Sequence, residues 1–274
     1  MKRNGYSRIA CAALFMLALA GSALATPAPN SAHLNLRTFN DCPLSTLTPT
    51  NAYPASISIL DVMDPACVGF ANLHSWSFSE DGGATNSYFV NGSNFHMCAD
   101  VALDGQGQGE GGLRFSPWWN DPPPVASGPG PVDGRFMING ITGEIACFGG
   151  RLPFYSFTAN FGITYTMGTT VHMEMTYLSH SLTSADPATI QYQIVVGATT
   201  YNSPVLPYDE GNPAEDPPHG LWGCLHDATV GGYFQPHANT GAALACTWSN
   251  ICFNNLDIVP TQTSTWGRLK TLYR

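Results

Sequence analysis

Basic side chains are scarce in this sequence. Its 274 residues include 10 Lys and Arg against 19 Asp and Glu, which gives a formal net charge of -9. A chain with this balance repels phosphate backbones, so nucleic acid is excluded as a partner. Charged residues of both signs make up only 11% of the chain, whereas about 25% is usual for soluble domains. The low charge argues against a helical cytosolic enzyme and favours an extracellular all-β protein.

Several motifs of catalytic chemistry are also missing. The sequence has no GxSxG elbow, no phosphate-binding glycine–lysine loop and no dinucleotide fingerprint. It has no CxxC or HxxxH spacing that would hold zinc. These absences argue against nucleophilic hydrolases, nucleotide-dependent enzymes and structural zinc sites.

The start of the chain has the pattern of a secretory signal peptide over residues 1–25. Basic residues precede an apolar run, CAALFMLALA (11–20), and Ala23-Leu24-Ala25 follows as a small-x-small cleavage site. The apolar run is too short to span a bilayer comfortably. We therefore expect export to an oxidising compartment, as a secreted, cell-surface or periplasmic protein that begins at about Thr26.

Seven of the eight cysteines lie after this leader. In an exported protein they are expected to form disulfides. Because their number is odd, at least one thiol stays free or pairs with another chain. Cys42–Cys67 and Cys246–Cys252 would each close a local loop, so these two pairs are the predicted disulfides.

Short runs of alternating apolar and polar residues dominate the chain, and no helical stripe occurs between residues 31 and 259. The runs at 95–101, 171–177 and 190–196 each place one apolar row on a single face, as a half-buried strand requires. Many strands without intervening helices predict an all-β fold, a two-sheet antiparallel β-sandwich of the jelly-roll type. Further strands are predicted at 57–62, 73–78, 113–115, 135–139, 144–148, 154–157, 221–225, 230–234 and 251–258.

One folded domain is expected, a single β-sandwich over residues 57–259. The signal peptide (1–25) and an extended N-terminal arm (26–56), rich in Pro, Asn, Thr and Ser, precede it. Residues 260–274 contain no acid and form a basic tail with apolar residues at helical spacing. This amphipathic tail is predicted to contact a membrane surface or a partner, or else to end the fold as a last helical turn.

Two blocks combine aromatic, carboxylate and guanidinium groups: GEGGLRFSPWWN (109–120) and GEIACFGGRLPFYSF (143–157). Sugars stack on flat aromatic faces, and planar charged groups bind their hydroxyls. The alternative is that the aromatic residues are core and that the charges form structural ion pairs. The predicted ligand-binding residues are Arg114, Trp118, Arg135, Glu144, Arg151 and Tyr155.

If the protein is an enzyme, Glu110, Glu144 and Glu174 are the candidate catalytic carboxylates. Glycoside hydrolysis needs two carboxylates at a fixed separation. Glu174 shares the polar face of one strand with His172; that face lines a groove if it is concave and meets solvent if it is the outer face. A polysaccharide lyase needs a Tyr or His base and a group that neutralises a uronate, and residues of these types are Tyr155, His172, Arg114 and Arg151.

The block YDEGNPAEDPPHGLWG (208–223) places five oxygen-bearing side chains within eight residues. Calcium takes about six to eight oxygen ligands, so calcium is the predicted metal. The alternative is a solvated acidic turn that its prolines make stiff. The candidate ligands are Asp209, Glu210, Asn212, Glu215 and Asp216.

The strand pattern and these blocks resemble the concanavalin A-like lectin/glucanase superfamily over residues 57–258. The segments GLRFSPWW, GEIACFGGRLPFYSF and NPAEDPPHGLWG are also similar to parts of uncharacterised bacterial exported proteins. The superfamily resemblance implies a jelly roll with a concave carbohydrate-facing sheet, and such folds serve binders and hydrolases alike. The E-x-D-x-x-E spacing of its glucanases is missing here, which argues against catalysis.

We therefore predict an exported β-sandwich that binds a glycan or another extracellular ligand without cleaving it. Two alternatives stay open. One is a polysaccharide-cleaving enzyme, either a glycoside hydrolase or a lyase. The other is a structural cell-surface protein attached through its basic tail. Calcium is the only cofactor expected.

Overall fold

The computed structural model describes residues 26–67, 69–70, 72–116, 134–149, 152–209, 221–225, 228–238 and 242–257. These residues form one short α-helix, α1 (Phe157–Phe161), one 3-10 turn (Leu221–Gly223) and many strands. The strands are β1 (Ser31–Asn40), β2 (Thr46–Ala52), β3 (Ser56–Val62), β4 (Gly69–Phe70), β5 (Asn72–Ser79), β6 (Phe95–Gly105), β7 (Gln108–Ser116), β8 (Gly134–Asn139), β9 (Ile145–Phe148), β10 (Tyr155–Ser156), β11 (Thr170–Leu178), β12 (Thr189–Val196), β13 (Thr199–Asn202), β14 (Leu206–Pro207), β15 (Thr229–Ala238) and β16 (Ala243–Asn255).

The strands form two sheets in which all neighbours run antiparallel. Sheet 1 has the order β1-β5-β15-β7-β8-β9-β10, and β4 pairs with β15. Sheet 2 has the order β13-β12-β11-β6-β16-β3-β2, and β14 pairs with β12. Sequence neighbours such as β6 and β7 lie in different sheets, as a jelly roll requires. The predicted all-β, two-sheet antiparallel sandwich is confirmed.

The core lies between the sheets because buried and exposed residues alternate along the strands. In β11, Val171, Met173, Met175 and Tyr177 are buried, and the residues between them are half-exposed. β6 pairs with β11 so that their apolar rows coincide; Met97, for example, lies opposite Met175. The strands predicted at 95–101, 171–177 and 190–196 are therefore confirmed, and so are the faces that they bury.

A pair of tryptophans connects the two sheets at the centre of the core. Trp76 of β5 and Trp248 of β16 are fully buried, and their rings meet edge to face at 6.1 Å. The indole of Trp248 donates a hydrogen bond to the carbonyl oxygen of Gly112, 2.9 Å away. Gly232 lies against both indoles, and a Cβ at this position would collide with each ring. Gly232 is thus required by the volume of the tryptophans, whereas a Cβ on Gly231 would collide with the backbone of Trp76 and Ser77 on the neighbouring strand.

The N-terminal region contributes more than the expected arm. Residues 31–40 and 46–52 form β1 and β2, which are edge strands of sheet 1 and sheet 2. Two other predicted strands differ from the elements that the structure shows. Residues 221–223 form a 3-10 turn in which Trp222 has φ 64°, and Phe157 begins α1 after the short β10.

One predicted disulfide is confirmed and the other is wrong. Cys42 and Cys67 are bonded, with their Cα atoms 5.6 Å apart. Cys252 pairs with Cys98 on the adjacent strand, not with Cys246. A register shift in β16 between residues 249 and 252 lets Cys246 point into the core while Cys252 reaches the outer face, so the predicted pair cannot meet.

Among the described cysteines, Cys147, Cys224 and Cys246 are not in disulfides. Burial raises the pKa of the Cys147 and Cys246 thiols well above its ordinary value. Both are therefore apolar core residues. No helix in the described residues has the length and apolar character needed to cross a membrane.

Candidate functional site

The outer face of sheet 1 gathers charged and polar groups from four adjacent strands, β5, β15, β7 and β8. Leu113, Phe136 and Phe234 point into the core, so the residues that alternate with them point outward. The register places Arg114 opposite Arg135, and Glu110 opposite Gln235. We call the resulting cluster the arginine network; its members are Glu110, Arg114, Arg135, Tyr233, Gln235, Ser77 and Thr229.

Arg135 lies at the centre of the arginine network. Its Nη1 donates to Oε1 of Glu110 at 2.6 Å and to Oε1 of Gln235 at 2.9 Å. The guanidinium also lies over the ring of Tyr233, 4.8 Å from the ring centroid, which is within cation–π range. The side chain is 19% exposed. Arg135 is therefore fixed in one orientation and still reaches solvent.

Arg114 is held in the same way but is more deeply buried. Its Nη1 donates to Thr229 at 3.0 Å and to Ser77 at 3.3 Å. Only 8% of the residue is exposed. A buried guanidinium needs partners for its five N–H groups, and the hydroxyls of β5 and β15 supply two of them.

Glu110 is a buried carboxyl with a perturbed pKa. Burial raises the pKa above its ordinary value, and the charge and hydrogen bond of Arg135 oppose this without cancelling it. A carboxyl whose pKa is raised in this way holds its proton more readily than a surface glutamate does.

The other predicted site residues of these blocks are not in this cluster. Glu144 is half-exposed in the turn before β9, where its backbone N–H donates to the hydroxyl of Thr142. Tyr155 pairs with the core residue Cys147 and contacts Phe157 edge to face at 4.9 Å, so it faces the core side of sheet 1. Trp118 and Arg151 lie outside the described residues.

A second polar cluster occupies the outer face of sheet 2. Nδ1 of His172 is 2.6 Å from Asp100, and its Nε2 is 3.0 Å from Glu174. The second oxygen of Glu174 is 2.9 Å from Nε2 of His96. These four side chains, which we call the histidine–carboxylate chain, are between 21% and 28% exposed. His172 and Glu174 therefore lie on the face of sheet 2 that points away from the core.

Neighbouring polar residues complete the histidine–carboxylate chain. Gln193 donates to Glu174 at 2.5 Å, and Asn250 donates to Asp100 at 2.7 Å. The Cys98–Cys252 disulfide borders the cluster, with the sulfur of Cys252 at 4.0 Å from His96. Glu174 thus accepts from Gln193 and lies within hydrogen-bonding distance of both histidines, and Asp100 accepts from Asn250 and lies within hydrogen-bonding distance of His172.

Glu110 and Glu174 cannot act as one catalytic pair. They point outward from different sheets, and stacked sheets are themselves about 10 Å apart. The two carboxyls of a glycosidase lie about 5–10 Å apart on the same side of the sugar-binding groove. The core therefore separates these two candidates.

A buried His–Asp pair joins the two sheets at one edge. Nε2 of His74 is 2.9 Å from Asp61, and both side chains are fully buried. Nδ1 of His74 accepts from the backbone N–H of Arg37 at 3.1 Å, so Nε2 carries the hydrogen and donates it to the aspartate. Burial opposes ionisation of Asp61, but hydrogen bonds from His74 and Asn72 outweigh it and lower its pKa. Both imidazole nitrogens are engaged, so the pair is structural.

Only one of the five candidate calcium ligands in residues 208–223 lies in the described part of the structure. Asp209 is exposed, and the other four candidate ligands lie outside the described residues. Within the described part of the chain, no three His, Cys, Asp or Glu side chains are arranged to hold a metal ion. The prediction of calcium is therefore untested.

Sequence reasoning missed several members of both clusters. Tyr233 lies in the strand predicted at 230–234, and Gln235 lies just beyond its predicted end, within β15. Their signal was the alternation in TVGGYFQPHA, which places them on the face opposite Phe234. His96 and Asp100 had the same signal in β6.

No family model matches the chain, and no curated protein matches it in sequence. Solved structures do match. A family 7 alginate lyase, A1-II', in complex with its substrate has 10% sequence identity and a TM-score of 0.45, over 82% of this chain and 94% of that chain. Alginate lyase Aly36B has 12% identity and a TM-score of 0.41, over 84% and 99%. A seed lectin of Lotus tetragonolobus has 10% identity and a TM-score of 0.40, over 84% and 96%.

These similarities carry no argument about ligand or reaction at such identities and TM-scores. The class of the protein, a two-sheet antiparallel sandwich, follows from its own strand pairing. The narrower resemblance to the concanavalin A-like superfamily and to bacterial exported proteins stays a prediction.

Proposed function

We propose that the protein is an exported, non-catalytic binder of a glycan, with the arginine network as its binding surface. The observation that carries the proposal is the placement of Arg135, which stacks on Tyr233 while it hydrogen-bonds Glu110 and Gln235. A guanidinium, a carboxyl, an amide and an aromatic ring therefore meet on one face. These are the planar groups that bind sugar hydroxyls and ring faces.

Preorganisation supports binding at this surface. Both arginines of the network and the groups that accept from them are already held by hydrogen bonds, so a ligand would immobilise few additional side chains. Arg135 and Gln235 are its half-buried members and lie where a ligand can reach them. Trp118 and Arg151 stay in the proposal as further contacts on the strength of the sequence blocks alone.

The test is retention on an array of acidic and neutral glycans. The double variant Glu110→Gln/Arg135→Gln removes both charges without leaving one buried alone, and we expect it to lose about tenfold or more in affinity. Glu174→Gln, on the outer face of the other sheet, is the matched control and should bind normally. Unchanged binding by the double variant would remove the arginine network from the proposal. Failure of the wild-type protein to bind any glycan would favour a structural role.

A second candidate is cleavage of a uronate-containing polysaccharide. It is favoured by the raised pKa of Glu110 beside Tyr233, Arg135 and Gln235. In this alternative a base removes the proton next to the uronate carboxylate while arginine and amide groups stabilise the charge that develops. Release of unsaturated uronate from a polysaccharide panel would establish the lyase. Release of reducing sugar without unsaturation would indicate hydrolysis.

We also propose calcium at residues 209–216, on the basis of their five oxygen-bearing side chains. A bound ion stabilises the folded state by mass action, by about 2.7 kcal/mol at a hundredfold excess over its Kd. Thermal melting with calcium and with a chelator measures this difference. An identical midpoint under both conditions would exclude a stabilising calcium site.

A further inference from the structure

Thr26 is fixed at one corner of the sandwich by the carboxylate of Asp257. The backbone nitrogen of Thr26 donates to Oδ2 of Asp257 at 3.0 Å, and its hydroxyl donates to Oδ1 at 2.8 Å. Only 3% of Thr26 is exposed. Both donors of Thr26, its backbone N–H and its hydroxyl, are therefore directed at the two oxygens of one half-buried carboxylate.

The site around Thr26 is assembled from segments far apart in the sequence. Asn94, just before β6, donates its backbone and side-chain N–H groups to Oδ1 of Asp257 at 3.1 and 3.2 Å. Asn255, at the end of β16, donates to the carbonyl oxygen of Thr26 at 3.4 Å. Burial opposes ionisation of Asp257, but the hydrogen bonds from Thr26 and Asn94 outweigh it and lower its pKa. A carboxylate that is ionised and partly buried is ready to receive a positive charge.

The sequence independently marks the peptide bond that precedes Thr26. The basic start, the apolar run and Ala23-Leu24-Ala25 place signal-peptide cleavage directly after Ala25. Hydrolysis adds one water across the Ala25–Thr26 bond and leaves a carboxylate on Ala25 and an α-ammonium group on Thr26. The nitrogen released in this way is the one that faces Asp257.

We propose that the chain is processed between Ala25 and Thr26, and that Asp257, held in place by Asn94, is the receptor for the new α-ammonium group, while Asn255 holds the carbonyl group of Thr26. A peptide nitrogen brings one hydrogen and no charge to Asp257. An ammonium group brings three hydrogens and a full positive charge, and charge-assisted hydrogen bonds are roughly twice as strong as neutral ones. Processing therefore tightens a contact that joins the start of the mature chain to the end of its last strand.

The next anchor along the chain provides a matched control. The backbone N–H of Ala28 donates to Oε1 of Glu80 at 2.8 Å. This donor is a peptide N–H before and after processing, so cleavage does not change its charge. Glu80 and Asp257 thus hold the same segment, but only Asp257 distinguishes a free amine from a blocked one.

Intact mass and N-terminal sequencing of the exported protein test the processing site. The expected first residue is Thr26. A first residue elsewhere, or a full-length chain recovered after export, would overturn the proposal.

The receptor is tested with protein that begins at Thr26, with its α-amine either free or acetylated. Lys270 is the only lysine after residue 25, so in a Lys270→Arg background the α-amine is the one group that acetylation modifies. Acetylation should lower the melting temperature by about 2–4 °C in this background. It should do the same in Glu80→Gln and should have no effect in Asp257→Asn.

An equal loss on acetylation in Asp257→Asn, or no loss in the parent protein, would contradict the receptor. Asp257→Ser, which keeps a short hydrogen-bond acceptor without charge, replaces the Asn variant if that variant does not fold. Because this cycle measures stability and not ligand retention, its outcome is independent of the proposed glycan binding.

Discussion

The charged side chains on the outer faces of the two sheets differ in how deeply they are buried. On sheet 1, Glu110 and Arg114 are 5% and 8% exposed and lie among groups that fix them. On sheet 2, His172 and Glu174 are 28% and 24% exposed and form a chain of four side chains near solvent. A buried charge that loses its partner is costly, whereas an exposed pair is screened by water. Similar polar rows on a pleated sheet therefore have different energetic roles according to their burial.

Removal of the disulfide beside the histidine–carboxylate chain should have the largest effect. Cys98 and Cys252 are 154 residues apart, and Cys42 and Cys67 are 25 apart. The chain-entropy model gives stabilisation of about 5 kcal/mol for the longer loop and about 3.5 kcal/mol for the shorter one. Denaturant unfolding of Cys98→Ala/Cys252→Ala and Cys42→Ala/Cys67→Ala measures both. A larger loss of stability in Cys42→Ala/Cys67→Ala would contradict the argument from loop length.

Loss of Arg135 should have the next largest effect. Arg135→Gln leaves the carboxyl of Glu110 buried without its ion-pair partner, which costs about 3–5 kcal/mol in free energy of unfolding. Glu110→Gln/Arg135→Gln should recover a large part of this loss because no lone charge remains. Urea unfolding of both variants provides the measurement. A double variant as unstable as the single one would show that the ion pair is not the cause.

The pH dependence of stability should reveal Glu110. Its pKa is raised in the folded state, so above the ordinary value of 4.5 the unfolded chain releases this proton more easily. The contribution of Glu110 to stability is therefore present at low pH and is lost as pH rises through the folded pKa. Comparison of unfolding free energies of wild type and Glu110→Gln between pH 4 and 8 isolates this contribution. A difference that is constant with pH would contradict the raised pKa.

Changes to the histidine–carboxylate chain should have the smallest effect. Glu174→Gln should cost about 1 kcal/mol or less, since half-exposed ion pairs gain little. Added salt should reduce even this cost through screening. A loss comparable with that of Arg135→Gln would mean that the two faces do not differ in the way described.

The sequence predicted on which face of a sheet a side chain lies, but it did not predict which residues of distant strands meet. Alternation in VHMEMTY predicted both the strand and the outward direction of His172 and Glu174, because the period of a strand fixes which residues share a face. It could not predict that Tyr233 meets Arg135, since those strands are about a hundred residues apart and only the register of the sheet brings them together. The wrong pairing of Cys246 has the same origin.

Edge strands were the elements that sequence patterns missed. β1 and β2 each have a neighbour on one side only, and β2 is mostly exposed and contains Pro49. A strand in this position buries little apolar surface and tolerates proline, so its composition is that of a loop. This explains why residues 31–40 and 46–52 read as an extended arm.

The contact between Thr26 and Asp257 has a practical consequence for protein engineering. Because Thr26, which precedes β1, and Asp257, which follows β16, lie within hydrogen-bonding distance of each other, the chain enters and leaves the sandwich at a single corner. A domain with this geometry can be inserted into a surface loop of a host protein without increasing the distance between the two ends of the interrupted loop.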